Sequence, residues 1–185
     1  QQLSQLIFAL STTNPGPQCD LSNGWDRYSS NCYKVKSETA KSWTWAEARA
    51  DCVNQGGDLV SITDPYEQAF IQVLGSILNS IAFCPTGISL WMGGHDSITE
   101  GGWEWTDGSP FRYVRWSAGN PDNYFGEDCL SIIINNGYWN DDNCENRRGY
   151  ICKRRGKMRC SNSCCTSLQS LGFFCRKDTG TPTPS

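Results

Sequence analysis

Cysteine content is the feature that most constrains what this chain can fold into. Eleven of its 185 residues are cysteine, a density typical of oxidising compartments, where disulfides support a small core. Zinc is the alternative, but the chain holds one histidine, and its only closely spaced cysteines, Cys160, Cys164 and Cys165, lack a second matching pair. We therefore expect a secreted, extracellular protein stapled by disulfides, with Gln1 as the mature terminus after removal of a signal peptide.

Charge and composition narrow the class of protein further. The formal net charge of −3 argues against a nucleic-acid partner, because such binders are ordinarily basic. The uncharged and largely apolar stretch over residues 69–83 is too short for a membrane span of about 20 apolar residues. The one histidine, His95, is expected in an exposed loop, where it gives no basis for Ser-His-Asp or Cys-His catalysis. We predict that the protein is not an enzyme.

Shifts in composition divide the chain into three parts. We predict an N-terminal extension over residues 1–18, a folded domain over 19–153, and a basic linker with a cysteine-rich tail over 154–185. The odd cysteine count leaves at least one thiol free or bound to another chain. That thiol, or the apolar extension, could join copies of the chain into a homo-oligomer. The cysteines whose pairing stays open are Cys84, Cys160, Cys164, Cys165 and Cys175.

The pattern of the domain predicts two helices followed by a strand-rich half, which is an α+β arrangement. The first helix is SWTWAEARADCVNQGG, with Ser42 as its N-cap and Gly56 at its end. The second helix begins after Asp64 with Pro65 in its first turn. Its predicted buried face comprises Phe70, Leu74, Ile77, Leu78 and Ile81. Short strands are predicted in ISLWMGG, GGWEWT, CLSIIIN, GYWND and GYICK.

Oxygen donors are concentrated between Asn120 and Cys144. They are Asn120, Asp122, Asn123, Glu127, Asp128, Asn140, Asp141 and Asp142. Calcium prefers such ligands, whereas zinc or copper would call for imidazole or thiolate. A cis bond at Pro121 would direct the carbonyls beside it toward one ion. A solvated acidic loop is the alternative, because Asn, Asp and Gly also favour turns, and spacing alone leaves both interpretations open.

The chain resembles the long form of the C-type lectin domain family from Cys19 to Cys152. The resemblance is carried by CDLSNGWDRYSSNCYKV, WAEARADCVNQGGDLVSI, WMGG, GEDC and YWND, which follow one another in the order of the family. It implies the C-type lectin fold, with two helices, antiparallel strands and a long calcium-binding loop region. It also implies three disulfides, Cys19–Cys32, Cys52–Cys152 and Cys129–Cys144.

A sugar-binding calcium site is implied by the same resemblance. NPD, residues 120–122, stands in the place of the family's sugar-selecting tripeptide. The implied ligands of Ca²⁺ are Asn120, Asp122, Glu127, Asn140 and Asp141. An auxiliary calcium site would use Asp96, Glu100, Asn123, Glu127 and Asp128. We expect the auxiliary site to be weaker, since Asn123 is neutral where an acid is common.

Glycans are the partners that the resemblance implies, bound through two neighbouring hydroxyls of one sugar. Amide first and acid third in the tripeptide, here Asn120 and Asp122, suits galactose-like sugars, and Tyr124 stands where an aromatic ring stacks on the sugar. Asn120 is one methylene shorter than the usual glutamine, so its loop is expected to move inward. We predict galactose or GalNAc over mannose. The predicted sugar contacts are Asn120, Asp122, Tyr124, Glu127 and Asn140.

Two other functions stay open. The apolar segment QLIFALS could dock on a neighbouring chain, which would make the protein a structural subunit of an extracellular assembly or filament that uses the fold for protein contacts. The second is a calcium-dependent ice or mineral binder, a use to which the fold that the chain resembles is sometimes put. Size measurement under non-reducing conditions tests the first of these, since a clean monomer contradicts it.

Overall fold

Helices and strands follow the predicted order along the chain. In this computed structural model, which describes residues 18–37, 42–82 and 88–157, the helices are α1 (Trp45–Asn54) and α2 (Pro65–Ala82). The strands are β1 (Asp26–Tyr28), β2 (Asn31–Lys36), β3 (Asp58–Leu59), β4 (Ser89–His95), β5 (Glu104–Trp105), β6 (Cys129–Ile133), β7 (Trp139–Asp142) and β8 (Gly149–Arg155). The predicted α+β class is confirmed.

One sheet contains these strands, in the order β1-β2-β8-β4-β6-β7, with β3 paired to β8 and β5 paired to β4. Among the described strands, the pairing of β4 with β8 is parallel and the others are antiparallel. The expectation of antiparallel strands is therefore right except for this one pair. Three strands lie between β4 and β8 in the chain, so no hairpin fixes their relative direction. Strand β7 pairs with β6 at one edge of the sheet, with Asp141 opposite Leu130.

Buried apolar side chains anchor this edge to the rest of the domain. Met92, Leu130, Ile132 and Trp139 belong to one buried cluster. Trp91 belongs to a second cluster, which includes the disulfide cysteines of β2, α1 and β8. Because Trp139 is fully buried, the strand that carries Asn140 and Asp141 has a fixed position.

The N-cap of α1 differs from the prediction. Thr44, not Ser42, caps the helix: its Oγ1 accepts the Glu47 N–H at 3.3 Å, and the Glu47 carboxylate accepts the Thr44 N–H at 3.1 Å. This reciprocal capping box requires a spacing of three residues, which only Thr44 has relative to Glu47.

The start of α2 agrees with the sequence. Asp64 Oδ1 accepts the N–H groups of Tyr66 and Glu67, each at 2.8 Å. On the predicted buried face, Phe70 and Leu74 pack against the core. The side chains of Ile77, Leu78 and Ile81 lie outside the described residues.

The three implied disulfides are present. They are Cys19–Cys32, Cys52–Cys152 and Cys129–Cys144, with Cα–Cα distances of 5.5, 5.3 and 5.2 Å. The third lies between β6 and the end of β7, directly beside the oxygen-donor loop. The predictions for Cys84 and for the tail cysteines lie outside the described residues.

The two ends of the described domain lie side by side. Gln18 donates its N–H to the Lys157 carbonyl at 2.8 Å, and Lys157 donates back to the Gln18 carbonyl at 3.0 Å. The proposed boundaries at residues 18 and 153 stay predictions, and the extension and tail beyond this pair are outside the description. In the ranges that are described, no helix is both long enough and apolar enough to cross a membrane.

Candidate metal centre

The segment over residues 115–117, which leads to Asn120, is hydrogen-bonded to strand β7. Trp139 donates its backbone N–H to the Arg115 carbonyl at 2.7 Å, and its own carbonyl accepts the Ser117 N–H at 2.8 Å. Beyond this contact the Asn120–Pro121 bond is cis. Asn120 and β7 therefore lie next to each other although a long loop separates them in sequence.

Asp141 connects the loop to the sheet. Its carboxylate is fully buried. One oxygen accepts the Asn120 Nδ2 group at 2.7 Å, and the other accepts the backbone N–H groups of Asp122 and Asn123 at 2.8 and 2.7 Å. Three donors from one loop thus converge on a single strand residue, which fixes the loop over the end of β7.

Three carboxylates meet at this point. Oxygen atoms of Asp122, Glu127 and Asp141 lie within 4.8 Å of one another. Two unit charges at that separation repel each other by about 3 kcal/mol at an effective dielectric constant of about 20. Burial first, and then the neighbouring carboxylates, raise the pKa of Glu127 to about 7. Near neutral pH, a proton on Glu127 or a bound cation would therefore stabilise these three carboxylates.

Two amides complete the set that the sequence predicts. Asn120 Nδ2 donates to Asn140 Oδ1 at 2.8 Å as well as to Asp141, and the Asn140 amide donates to the Asp141 carbonyl. The short side chain of Asn120 thus already reaches two of the other four predicted ligands, with its nitrogen turned toward them. All five predicted ligands lie together, and their role as ligands stays a prediction.

The predicted auxiliary residues Asp96, Glu100 and Asp128 form a second acidic region. Asp96 is 3% exposed; its Oδ2 accepts the Gly101 N–H at 2.9 Å, while its Oδ1 has no hydrogen-bond partner among the described residues. Burial and the Asp128 carboxylate raise the pKa of Asp96. Burial, Asp96 and Asp128 raise the pKa of Glu100. Within the described residues, one group of at least three His, Cys, Asp or Glu side chains has ligand atoms within 4.8 Å of one another, and it consists of Asp122, Glu127 and Asp141. The auxiliary residues do not form a second such group.

Two aromatic side chains are exposed in the tight turn between Asn123 and Glu127. Gly126 donates its N–H to the Asn123 carbonyl at 3.2 Å, and Glu127 donates its N–H to Asn123 Oδ1 at 2.8 Å. The Asn123 side chain thus closes this turn, which competes with the auxiliary role predicted for it. Tyr124 and Phe125 occupy the central positions and are 65% and 87% exposed. Their ring centroids are 4.4 Å apart.

Sequence reasoning missed Phe125 and the role of Asp142. The signal for Phe125 was available, because it is a second aromatic residue beside Tyr124 in an otherwise polar loop. Asp142 was counted among the oxygen donors, but it is buried in an ion pair with Arg148 and accepts the Ser131 hydroxyl at 3.2 Å. It therefore secures the end of β7.

The expectation that His95 is an exposed loop residue is wrong. His95 is the last residue of β4, and its side chain is 13% exposed. Its ring packs edge-on against Trp45 with centroids 5.6 Å apart. This histidine contributes to packing between β4 and α1.

Comparison with known sequences assigns the family. The family model described as Lectin C-type domain matches residues 41–154. The galactose-specific lectin nattectin from Thalassophryne nattereri is 34% identical over 132 residues, which are 71% of this chain and 78% of nattectin. The human C-type mannose receptor 2 is 35% identical over 139 residues, which are 74% of this chain and 9% of the receptor. The chain thus matches only a small part of that receptor.

Comparison with solved structures agrees. The carbohydrate-recognition domain of mouse scavenger receptor C-type lectin is 31% identical, with a TM-score of 0.62 over 75% of this chain and 98% of that domain. A calcium-independent type II antifreeze protein is 27% identical, with a TM-score of 0.64 over 76% of this chain and 97% of that protein. This disulfide-stapled α+β fold is therefore shared with a carbohydrate-recognition domain and with an antifreeze protein. The chain belongs to the C-type lectin domain family, and the predicted C-type lectin fold is confirmed.

Proposed function

We propose that this domain binds carbohydrate in a calcium-dependent manner at the loop beside β7. The observation that carries the proposal is the convergence of the Asp122, Glu127 and Asp141 carboxylates within 4.8 Å. Calcium prefers oxygen donors of this kind. The proposed ligands are Asn120, Asp122, Glu127, Asn140 and Asp141.

Electrostatics supports a cation at this position. The pKa of Glu127 is raised to about 7, so its negative charge is disfavoured unless a positive charge is bound. The nearby guanidinium of Arg148 is already engaged with Asp142. The fold alone would not support the proposal, because the antifreeze protein of the same fold is described as calcium-independent.

An auxiliary calcium site is a second part of the proposal. In the part of the chain that the structure describes, the buried Asp96 Oδ1 atom lacks a hydrogen-bond partner, and a buried unpaired carboxylate oxygen is costly. A cation shared with Glu100 and Asp128 would satisfy it. Asn123 fits this site less well, because its side-chain oxygen accepts the Glu127 N–H.

Sugar contacts follow from the hydrogen-bonding capacity of the same residues. Calcium, when bound, supplies coordination positions for two neighbouring hydroxyls of one sugar. Asp122 and Glu127 offer oxygens that accept the hydroxyl protons, and the amides of Asn120 and Asn140 offer N–H donors. The Asn120 amide must rotate for this, because its nitrogen now donates to Asn140 and Asp141. Tyr124 offers an exposed ring for the apolar face of the sugar.

We propose galactose or GalNAc as the preferred sugar. Asn120 and Asp122 place the amide first and the acid third in the tripeptide. Nattectin is described as galactose-specific, which supports this choice, whereas the name of C-type mannose receptor 2 refers to mannose. The order of the tripeptide decides between them, because the donor and acceptor pattern must match the sugar hydroxyls.

A glycan array run with calcium and again with EDTA tests the proposal. We expect galactose-terminated glycans to bind in calcium and to be released by EDTA. Glu127→Gln should abolish binding, because it removes one charge from the carboxylate group. The matched control is Glu145→Gln, an exposed residue outside the group, which should bind as the unaltered protein does. Binding that survives EDTA contradicts the calcium-dependent mechanism.

We further propose that the protein is extracellular. The three disulfides support this, since such bonds persist mainly in oxidising compartments. Binding of a single sugar per site would be weak, so several copies would gain by avidity. The predicted homo-oligomer through Cys84, a tail cysteine or the extension is tested by chromatography under reducing and non-reducing conditions.

A further inference from the structure

Phe125 has a position that folding does not explain. Its side chain is 87% exposed, so it contributes almost nothing to the core. It is the third residue of the turn closed by the Gly126 N–H and the Asn123 carbonyl, and its φ is +57°. A positive φ at this turn position is ordinarily left to Gly or Asn, and it is unfavourable for a bulky residue. Backbone preference and burial therefore both argue against phenylalanine here.

The ring forms part of an apolar corner beside the proposed sugar site. The Tyr124 and Phe125 rings are 4.4 Å apart and inclined at 73°. The Tyr124 N–H donates to Asp122 Oδ1 at 3.2 Å, which ties the corner to a proposed calcium ligand. Glu127, another proposed ligand, follows two residues after Phe125. A sugar held by these ligands would have the corner at its side.

Polar recognition at the corner is poor. The N–H groups of Tyr124, Gly126 and Glu127 are all engaged within the loop. Gly126 has no side chain, and the Tyr124 hydroxyl is the single polar atom of the two rings. A second sugar ring would therefore find few partners for its hydroxyls, whereas an alkyl or aryl group needs only apolar contact.

We infer that Phe125, whose ring lies against that of Tyr124, forms a subsite for an apolar aglycone, the alkyl or aryl group on the anomeric oxygen of the bound sugar, as in a glycolipid. The inference rests on the proposed sugar binding and names the ligand class of the same site. Phe125 is then a specificity-determining residue that separates amphipathic glycosides from simple ones. The unfavourable positive φ of Phe125 is then explained by contact with the ligand and not by a contribution to folding.

Calorimetry with matched glycosides tests the inference. The probes are methyl and hexyl β-galactoside, methyl and hexyl α-mannoside, and methyl β-lactoside, each titrated in calcium. Covering roughly two methylene groups against the ring corresponds to about a tenfold gain in affinity for hexyl over methyl. Phe125→Ala should reduce this ratio to near one and leave methyl glycoside affinity unchanged. Tyr66→Ala is the control, because Tyr66 is a 77% exposed aromatic on α2, and it should retain the ratio.

The outcomes separate this inference from the proposed function. A hexyl preference that persists in Phe125→Ala overturns the inference alone. So does a loss that affects the lactoside instead, since a second sugar would then occupy the corner. Failure of every methyl and hexyl glycoside to bind the unaltered protein refutes the proposed function and the inference with it. Phe125→Asn, which suits the positive φ, repeats the test in a variant whose turn is favoured.

Discussion

The carboxylate of Asp141 should have two separable roles, which a pair of substitutions can distinguish. Asp141→Asn and Asp141→Ala both remove its charge, and both should abolish measurable calcium binding. Both also remove the oxygen that accepts the Asn120 Nδ2 group, so they are compared at the other oxygen position. An asparagine oxygen can still accept the backbone N–H groups of Asp122 and Asn123, which now lie 2.8 and 2.7 Å from Asp141 Oδ2. Alanine leaves both without this acceptor.

The magnitude follows from those two hydrogen bonds. Each contributes about 1–1.5 kcal/mol net, so Asp141→Ala should be less stable than Asp141→Asn by about 2–3 kcal/mol. Relief of repulsion with Asp122 and Glu127 is common to both variants and cancels in the comparison. Urea unfolding in EDTA measures the difference, and Asp26→Asn on exposed β1 is a control expected within about 0.5 kcal/mol of the unaltered protein.

Equal stability of the two variants would refute the reasoning that Asp141 holds the loop. Unchanged calcium affinity in both would refute its role as a ligand. Stability and calcium affinity are measured independently, so the structural role and the ligand role of Asp141 can be refuted separately. The pKa of Glu127 supplies a third check: removing the Asp141 charge should lower it, while burial, its main cause, keeps it above the ordinary value.

Three further predictions concern the same loop. Calcium affinity measured by calorimetry should rise about tenfold from pH 6 to pH 8, because Glu127 with a pKa of about 7 is mostly protonated at pH 6 and a proton competes with the cation. The sign also means that the calcium-free fold loses stability as pH rises from about 4.5 through 7. Glu127→Gln, in which no group titrates at this position, should flatten this stability profile in unfolding experiments in EDTA. Asn120→Glu with Asp122→Asn should move glycan-array preference toward mannose, and unchanged selectivity would show that the tripeptide is not the selector. Phe125→Asn should raise the free energy of unfolding by about 0.5–1 kcal/mol, since asparagine tolerates φ of +57°; a loss of stability in thermal unfolding would contradict the strain.

Local signals predicted much of the fold. Asp64 and Pro65 mark the start of α2 because a helix terminus is decided by neighbouring residues. The disulfides followed from the family resemblance. The cap of α1 was placed at Ser42 because serine is a good N-cap in general, but the partner Glu47 selects Thr44. The choice between Ser42 and Thr44 as the N-cap depends on side-chain geometry, which cannot be derived from composition.

Long-range relations were harder to obtain from the sequence. The parallel pairing of β4 with β8 joins distant strands, and no pattern within either strand encodes its partner. The chemical types of the five proposed ligands were visible in the sequence. The position of Asp141 as the acceptor for three loop donors was not, because it depends on the loop folding back along β7. Phe125 was overlooked because exposed aromatic residues carry no periodic signal.

The pairing of Gln18 with Lys157 determines how the domain transmits force. Any chain attached at both ends leaves from one point, closed by two backbone hydrogen bonds, with the Cys19–Cys32 bridge immediately behind it. Tension applied through such attachments would first break the two hydrogen bonds between Gln18 and Lys157, and the Cys19–Cys32 disulfide would then resist it. Strand β7 is separated from β8 by β4 and β6, on the order of 14 Å across the sheet. The acidic loop beside β7 would therefore keep its shape while the domain is pulled through its two ends.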